Sequence, residues 1–328
     1  MPAGRPIASH AALALALSLG LGCGLASAQA QPFPNRPIRF IVPFPAGGVS
    51  DVAARVIGQK FTERWGQQVL VENRLGAGGT IGTALAAAAR PDGYTLLMGS
   101  STELALNPNL YAKLSYDTLR DFAPIALIGQ APLLAVVHPA LPVKSLKDLQ
   151  ALARARPGEL NFASTGNGST LHVGAEMFLA AAGVTMTHVP QSSNAQLSVM
   201  TGQTQLMFSS LPGGIGFVRA GKLRALAVTG AQRFPTAPDI PTAIESGFPT
   251  VEVVIWVAAM APAGTPGEIV DTLGEAVLSA LRLPDVKKSF DNVGLELTPG
   301  DANHLGAYLK RELAKFGKVV KAAGIRLD

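Results

Sequence analysis

The sequence is poor in cysteine, in aromatic residues and in charge. Its one cysteine, Cys23, falls in an N-terminal leader. The mature chain therefore has no disulfide, no thiolate metal site and no cysteine nucleophile. Aromatic residues make up 6% of the 328 residues and charged residues 15%. With no basic run and no interleaved aromatics, the composition argues against nucleic acid as a partner. Beyond the leader no stretch is long and apolar enough to span a membrane. The five histidines, His10, His138, His172, His188 and His304, show no H-E-x-x-H or other ligand spacing, so no metal and no cofactor are expected.

The first residues read as a secretory signal peptide. Arg5 is a basic n-region, Ala11 to Leu21 an apolar run, and Ala26-Ser27-Ala28 a small-residue cleavage site, which makes residues 1–28 the leader. A lipoprotein would carry Leu three residues before Cys23, and Gly20 stands there. An exported chain without disulfides fits the bacterial periplasm. The formal net charge is +5. Cleavage removes Arg5 and no acid, so a mild positive charge remains and favours anionic small molecules.

The mature chain is organised around the stretch Pro43 to Asp51. The β-branched run Ile38 to Val42 leads into Pro43-Phe44-Pro45-Ala46-Gly47-Gly48-Val49-Ser50-Asp51. Then Val49, Val52, Ala53, Val56, Ile57, Phe61 and Trp65 recur at helical spacing. This is strand, tight loop, helix. Pro45, Ala46, Gly47 and Gly48 form a turn stiffened by proline and opened by glycine. The helix start presents unpaired N–H groups and partial positive charge, which suits a carboxylate or phosphate. The plainer alternative is an ordinary turn with Ser50 or Asp51 as N-cap.

Strand and helix alternate along the rest of the chain, which means α/β with mostly parallel sheets. Expected strands include Gln68–Glu72, Tyr94–Met98, Ile125–Ile128, Leu133–Val137, Leu160–Ala163, Gln205–Phe208, Leu223–Thr229 and Val251–Ala259. Ser145 should cap a helix to about Arg156, and Thr265 another with Pro266 at its first position. Two strands bracketed by prolines, within Ala131–Pro142 and Pro249–Pro262, read as crossovers between lobes. One lobe would be 31–131 plus 258–328, the other 132–257, with a hinge and a cleft between them.

The second lobe repeats the opening device. After strand Leu160–Ala163 come Ser164, Thr165, Gly166, Asn167, Gly168, Ser169 and Thr170, then a helix. Two helix N-termini facing one anion across a cleft is the arrangement this pair suggests. The turn Gly76–Gly82 follows a strand too, but reads G-x-G-x-x-x-G with no acid after the next strand, so a dinucleotide site is not indicated. Its Gly79, and Ser100 and Ser101 at the end of the third strand, join the candidate site. So do His188 at a strand end, which either lines the cleft or caps, and Ser209 after Met207–Phe208. A hydrolase would need an activated serine. Ser169 sits in Gly-Asn-Gly-Ser-Thr, which is not a nucleophile elbow, and no acid is placed to orient His172.

A family resemblance rests on these same segments. Pro43–Gly48 with Asp51 and Arg55, Val71-Glu72-Asn73-Arg74 with Gly76–Gly79, and Pro91-Asp92-Gly93-Tyr94 resemble the Bug-type periplasmic solute receptors of tripartite tricarboxylate transport systems. So do Ser164–Thr170 with His172 and Glu176, Ala261-Pro262-Ala263-Gly264-Thr265-Pro266, and the end from Gly317 to Ile325. The resemblance implies a two-lobed Venus-flytrap periplasmic binding protein with two interlobe crossover strands. It implies a small organic carboxylate held by main-chain N–H groups of Pro45–Ser50 and Ser164–Thr170. Integral-membrane transporter subunits would be the partners and the receptor a monomer. Two positions depart from the family pattern. Gln191 and Ser192 follow Pro190 where an aromatic and a basic residue are usual, and Ser209 stands where an acid is usual. The expectation is therefore a receptor without chemistry of its own. The alternatives are an exported α/β serine hydrolase using Ser169 or Ser101, and a receptor that signals to a sensor.

Overall fold

A computed structural model describes Met1 and residues 33–191 and 195–324. The leader beyond Met1, and Ser192, lie outside the described residues. The chain divides into two units, Met1–Asn35 and Arg36–Asp328, and the second carries every described strand and helix.

The elements run in this order. β1 (Ile38–Val42) leads through the proline–glycine turn into α1 (Val49–Trp65), then β2 (Val69–Asn73), α2 (Thr80–Ala87) and β3 (Thr95–Ser100). β1 pairs in parallel with β2 on one side and β3 on the other. α1 buries Ala53, Ala54, Ile57 and Phe61, the apolar stripe that its spacing announces. Short helical turns cover Thr102–Leu106 and Asn107–Leu110.

β4 (Phe122–Val137) comes next, a single strand of 16 residues where the sequence suggested two. After it stand α3 (Leu146–Ala155), β5 (Asn161–Ser164), α4 (Thr170–Ala182), β6 (Thr187–Pro190), α5 (Ala195–Met200), β7 (Leu206–Ser210), α6 (Leu211–Arg219) and β8 (Arg224–Val228). The Ser145 Oγ accepts the Asp148 N–H at 3.1 Å and starts α3 as expected. The chain closes with β9 (Val254–Pro262), α7 (Gly267–Leu281), α8 (Pro284–Asn292), β10 (Glu296–Gly300) and α9 (Ala302–Ala323). Thr265 is not the cap of α7: its hydroxyl donates to the Pro262 carbonyl at 2.7 Å, and Pro266 occupies the N-cap position.

The sheet order is β2-β1-β3-β9-β4-β7-β5-β6, with β10 and β8 also on β4. Parallel pairing holds at the two ends, among β1–β3 and β5–β7. The expectation of mostly parallel strands is narrowed in the middle, where β4 and β9 run antiparallel to their neighbours. β4 spans both parts of the sheet because Gly129 and Pro132 do not break it. Gly129 lies against the Glu296 carbonyl, where no Cβ would fit, and register shifts at Pro124/Ala126 and Leu127/Gly129 absorb the irregularity.

Candidate ligand-binding site

The turn between β1 and α1 leaves Pro45, Ala46 and Gly47 exposed. Gly47 has φ 83°, a left-handed backbone that favours glycine. Gly48, not Ser50 or Asp51, is the N-cap of α1, and no side chain caps the helix. The N–H groups of its first turn, Val49 and Ser50 among them, are thus the donors that any helix start leaves unpaired.

Asp51 faces the protein and braces the turn from beneath. Its carboxylate accepts the Gly47 N–H at 2.9 Å, Arg55 Nε at 2.9 Å, Arg55 Nη2 at 2.9 Å and Asn73 Nδ2 at 2.9 Å. Asn73 Nδ2 also donates to the Phe44 carbonyl at 2.9 Å. Burial pushes the Asp51 carboxyl up, but the bonds from Arg55, Gly47 and Asn73 outweigh it and hold it below the usual range. As a ligand contact Asp51 is therefore corrected to a brace. Asp51→Ala should lower stability by about 2–3 kcal/mol, because a buried acceptor with several donors is removed. A group whose folded pKa is depressed contributes stability above the normal carboxylate range and loses it as pH falls below. Urea melts of wild type and variant at pH 7 and pH 3 should accordingly converge at the lower pH.

Gly79 is buried, and a Cβ there would lie 3.1 Å from Phe44 Cζ, 3.2 Å from Pro43 Cβ and 3.4 Å from Glu103 Cβ. It packs behind the turn. At the end of β3, Ser100 Oγ donates to Glu103 Oε2 at 2.6 Å, and the Ser100 N–H donates to Glu103 Oε1. Glu103 is wholly buried, and burial pushes its carboxyl up to about 7 against the Ser100 bonds. Sequence reasoning missed Glu103, although Ser100-Ser101-Thr102-Glu103 has the S-x-x-E spacing of a capping box, which could have found it. Ser101 is also fully buried, and its Oγ has no hydrogen-bond partner.

The next contact joins the two parts of the chain. Thr102 Oγ1, just past β3, lies 2.8 Å from Thr170 Oγ1, the first residue of α4. Because β1 and β3 are adjacent parallel strands, Thr102 lies at the same end of the sheet as the start of α1, and its contact brings the start of α4 to that end.

On the far side, Thr165 and Asn167 are exposed. Ser169 caps α4 by accepting the His172 N–H at 3.2 Å, and the N–H groups of Thr170 and Leu171 are among the donors that a helix start leaves unpaired. Ser164 and Gly168 are inward-facing. The Ser164 Oγ bonds His188 Nε2 at 2.7 Å and the Gly166 carbonyl at 3.0 Å, and accepts the Gly166 N–H at 3.1 Å. The Gly168 N–H donates to His172 Nδ1 at 3.1 Å. The main-chain donors of Gly166 and Gly168 are thus committed internally. The Gln191 N–H donates to the Ser164 carbonyl at 2.9 Å, which sets residue 191 beside the end of β5. Ser209 is fully buried, with its hydroxyl donating to the Ser210 carbonyl at 3.1 Å and accepting from Gln196 Nε2 at 3.4 Å.

The expectation that no acid orients His172 is corrected, because Glu176 Oε1 lies 3.5 Å from His172 Nε2, but the hydrolase alternative still finds no support in this geometry. The Ser169 oxygen is used as a cap, Ser101 is buried without a base, and the Ser164–His188 pair has its serine inaccessible. Among the described residues no group of three or more His, Cys, Asp or Glu is placed to hold a metal.

Residues 53–325 match the tripartite tricarboxylate transporter family receptor. The chain belongs to that family. The protein BugT of Bordetella pertussis is 36% identical to this receptor over 298 residues, 90% of this chain and 91% of its own. Among solved structures, Rpa4515 of R. palustris with adipate has TM-score 0.83 and 35% identity, over 90% of this chain and 99% of its own. MatC from Rhodopseudomonas palustris with bound malate has TM-score 0.78 and 31% identity, over 88% and 100%. The periplasmic binding protein BugD has TM-score 0.79 and 32% identity, over 90% and 99%. The receptor therefore has the two-lobed α/β architecture of periplasmic binding proteins.

Proposed function

We propose that this receptor binds a small organic carboxylate between two lobes and delivers it to integral-membrane transporter subunits, with no chemistry of its own. Lobe 1 comprises 31–131 plus 258–328 and lobe 2 comprises 132–257, with β4 and β9 as the crossovers. The carrying observation is the Thr102–Thr170 contact, which sets the start of α4 beside the end of β3, the neighbour of the strand that leads into the uncapped α1. Two helix starts supply convergent N–H donors and partial positive charge to one anion. The adipate and malate held by two structural relatives support the same ligand class. The protein acts in the periplasm as a monomer, after loss of residues 1–28.

A ligand that binds only the native state stabilises it by about 2.7 kcal/mol at a hundredfold excess over Kd. A thermal-shift screen of mono-, di- and tricarboxylates and acidic amino acids should give clear increases in Tm. Shifts with sugars or cations alone would refute the carboxylate reading.

A further inference from the structure

Glycines 166 and 168 lie in the loop between β5 and α4. Both have positive φ, 133° and 71°, and glycine has the widest backbone freedom to lose. Each is tied down by an imidazole. His172 Nδ1 accepts the Gly168 N–H directly at 3.1 Å. His188 Nε2 reaches Gly166 through the Ser164 hydroxyl, 2.7 Å away, which bonds both the carbonyl and the N–H of Gly166.

The two rings are themselves fixed. They stack at 3.9 Å with 9° between planes, and Phe162 lies parallel to both, 4.8 Å from His188 and 5.9 Å from His172. The partners dictate the hydrogen positions. His172 Nδ1 is an acceptor, so its ring proton sits on Nε2, 3.5 Å from Glu176 Oε1. With the Ser164 hydrogen directed to the Gly166 carbonyl, His188 Nε2 is the donor to Ser164 Oγ. Both rings are neutral in this arrangement. Burial, then the neighbouring His172, holds His188 down to about 4, against the pull of Glu176.

We infer that His172 and His188 are positioning residues, a stacked pair that sets the shape of the Thr165–Thr170 loop by clamping one glycine each. Their role rests on the proposal that this loop holds the ligand. His172 is buried and acts through Gly168; His188 acts through Ser164. Neither needs charge, and neither donates to the ligand.

The clamp makes a reciprocal demand on replacements. Asn places its amide oxygen where His Nδ1 was, and Gln places its amide nitrogen where Nε2 was. His172→Asn should therefore keep the Gly168 bond and His172→Gln should lose it. At the other site His188→Gln should keep the Ser164 bond and His188→Asn should lose it. All four variants lose the ring stack, so comparison within each pair removes that contribution.

Two measurements test it. Amide hydrogen exchange on the ligand-free receptor should show Gly166 and Gly168 protected in wild type. Gly168 should stay protected in His172→Asn and exchange at least tenfold faster in His172→Gln. Gly166 should stay protected in His188→Gln and exchange at least tenfold faster in His188→Asn. Equal exchange within both pairs would overturn the inference, whatever the ligand is. Calorimetry with benzoate, a monocarboxylate with an aromatic remainder, should then show the mismatched variants binding at least tenfold more weakly than the matched ones, at similar Tm. If the exchange pattern holds while no carboxylate binds wild type, the carboxylate reading fails and the clamp stands. If benzoate binds all four variants equally, the clamp does not position a ligand loop and the inference is overturned.

Discussion

Ala46→Asp should weaken carboxylate binding by about two to three orders of magnitude and leave Tm within about 2 °C of wild type. Ala46 is exposed in the turn before the uncapped start of α1. A carboxylate built into that turn either occupies the helix N–H groups or lies within a few ångströms of the ligand anion. Two unit charges 4 Å apart repel by about 4 kcal/mol at the effective dielectric of a protein surface. The fold should tolerate the change, because exposed substitutions usually cost within about 0.5 kcal/mol and an acid near a helix start is mildly stabilising. Thr165→Asp, in the exposed part of the opposite loop, should act in the same way. Gly47 is a poorer position for this test, since its φ of 83° strains any side chain and confounds binding with folding. Calorimetry on both acidic variants checks the result. Unchanged affinity in both would place the ligand elsewhere.

Gln191→Lys should shift the ratio of dicarboxylate to monocarboxylate affinity by about tenfold in favour of the dicarboxylate, a change of about 1.4 kcal/mol. The strand-end loops Pro43–Ser50, Gly99–Thr102, Ser164–Thr170 and Ser209–Gly213 contain no Lys or Arg. Arg74, after β2, is engaged with Glu72 at 2.8 Å. A second carboxylate on the ligand would find no basic side chain in these loops, and an unpaired charge in a closed cleft is costly. Neutral donors and acceptors instead satisfy a hydroxyl, an amide or a ring nitrogen. Wild type should accordingly bind a monocarboxylate with an uncharged polar or aromatic remainder more tightly than citrate or aspartate. The Gln191 N–H bond to the end of β5 makes this residue the stronger determinant, since Ser209 is wholly buried with its hydroxyl already bonded. Calorimetry with a matched monocarboxylate and dicarboxylate pair decides the matter. A wild type that prefers the dicarboxylate, with no change in Gln191→Lys, would show that this position does not set specificity.

Local signals made much of the fold readable in advance. Ser145 with Asp148 marked the start of α3, and the mostly apolar and small residues after Ser169 marked α4. What failed depended on partners distant in sequence. β4 reads as two strands because Gly129 and Pro132 punctuate it, yet Gly129 is required by the approach of β10. Thr265 has the composition of a cap, but its hydroxyl turns back to the carbonyl of Pro262. The site showed the same division. Strand, glycine turn and helix start are contiguous, so both loops were visible. Which of their polar groups face a ligand was not, because Asp51 is claimed by Arg55 and Asn73, Ser164 by His188, and Gly168 by His172. Residue type announces that a hydrogen bond will be made, and only tertiary packing decides with what.

The most direct test is mass spectrometry of the small molecule released by denaturing freshly purified receptor. Closed clefts of this kind hold their ligand through purification when dissociation is slow. The account predicts an organic carboxylate that, added back to the emptied receptor, raises its Tm and fails to do so for Ala46→Asp. A released sugar, amine or metal ion that restores the Tm in both proteins would contradict it.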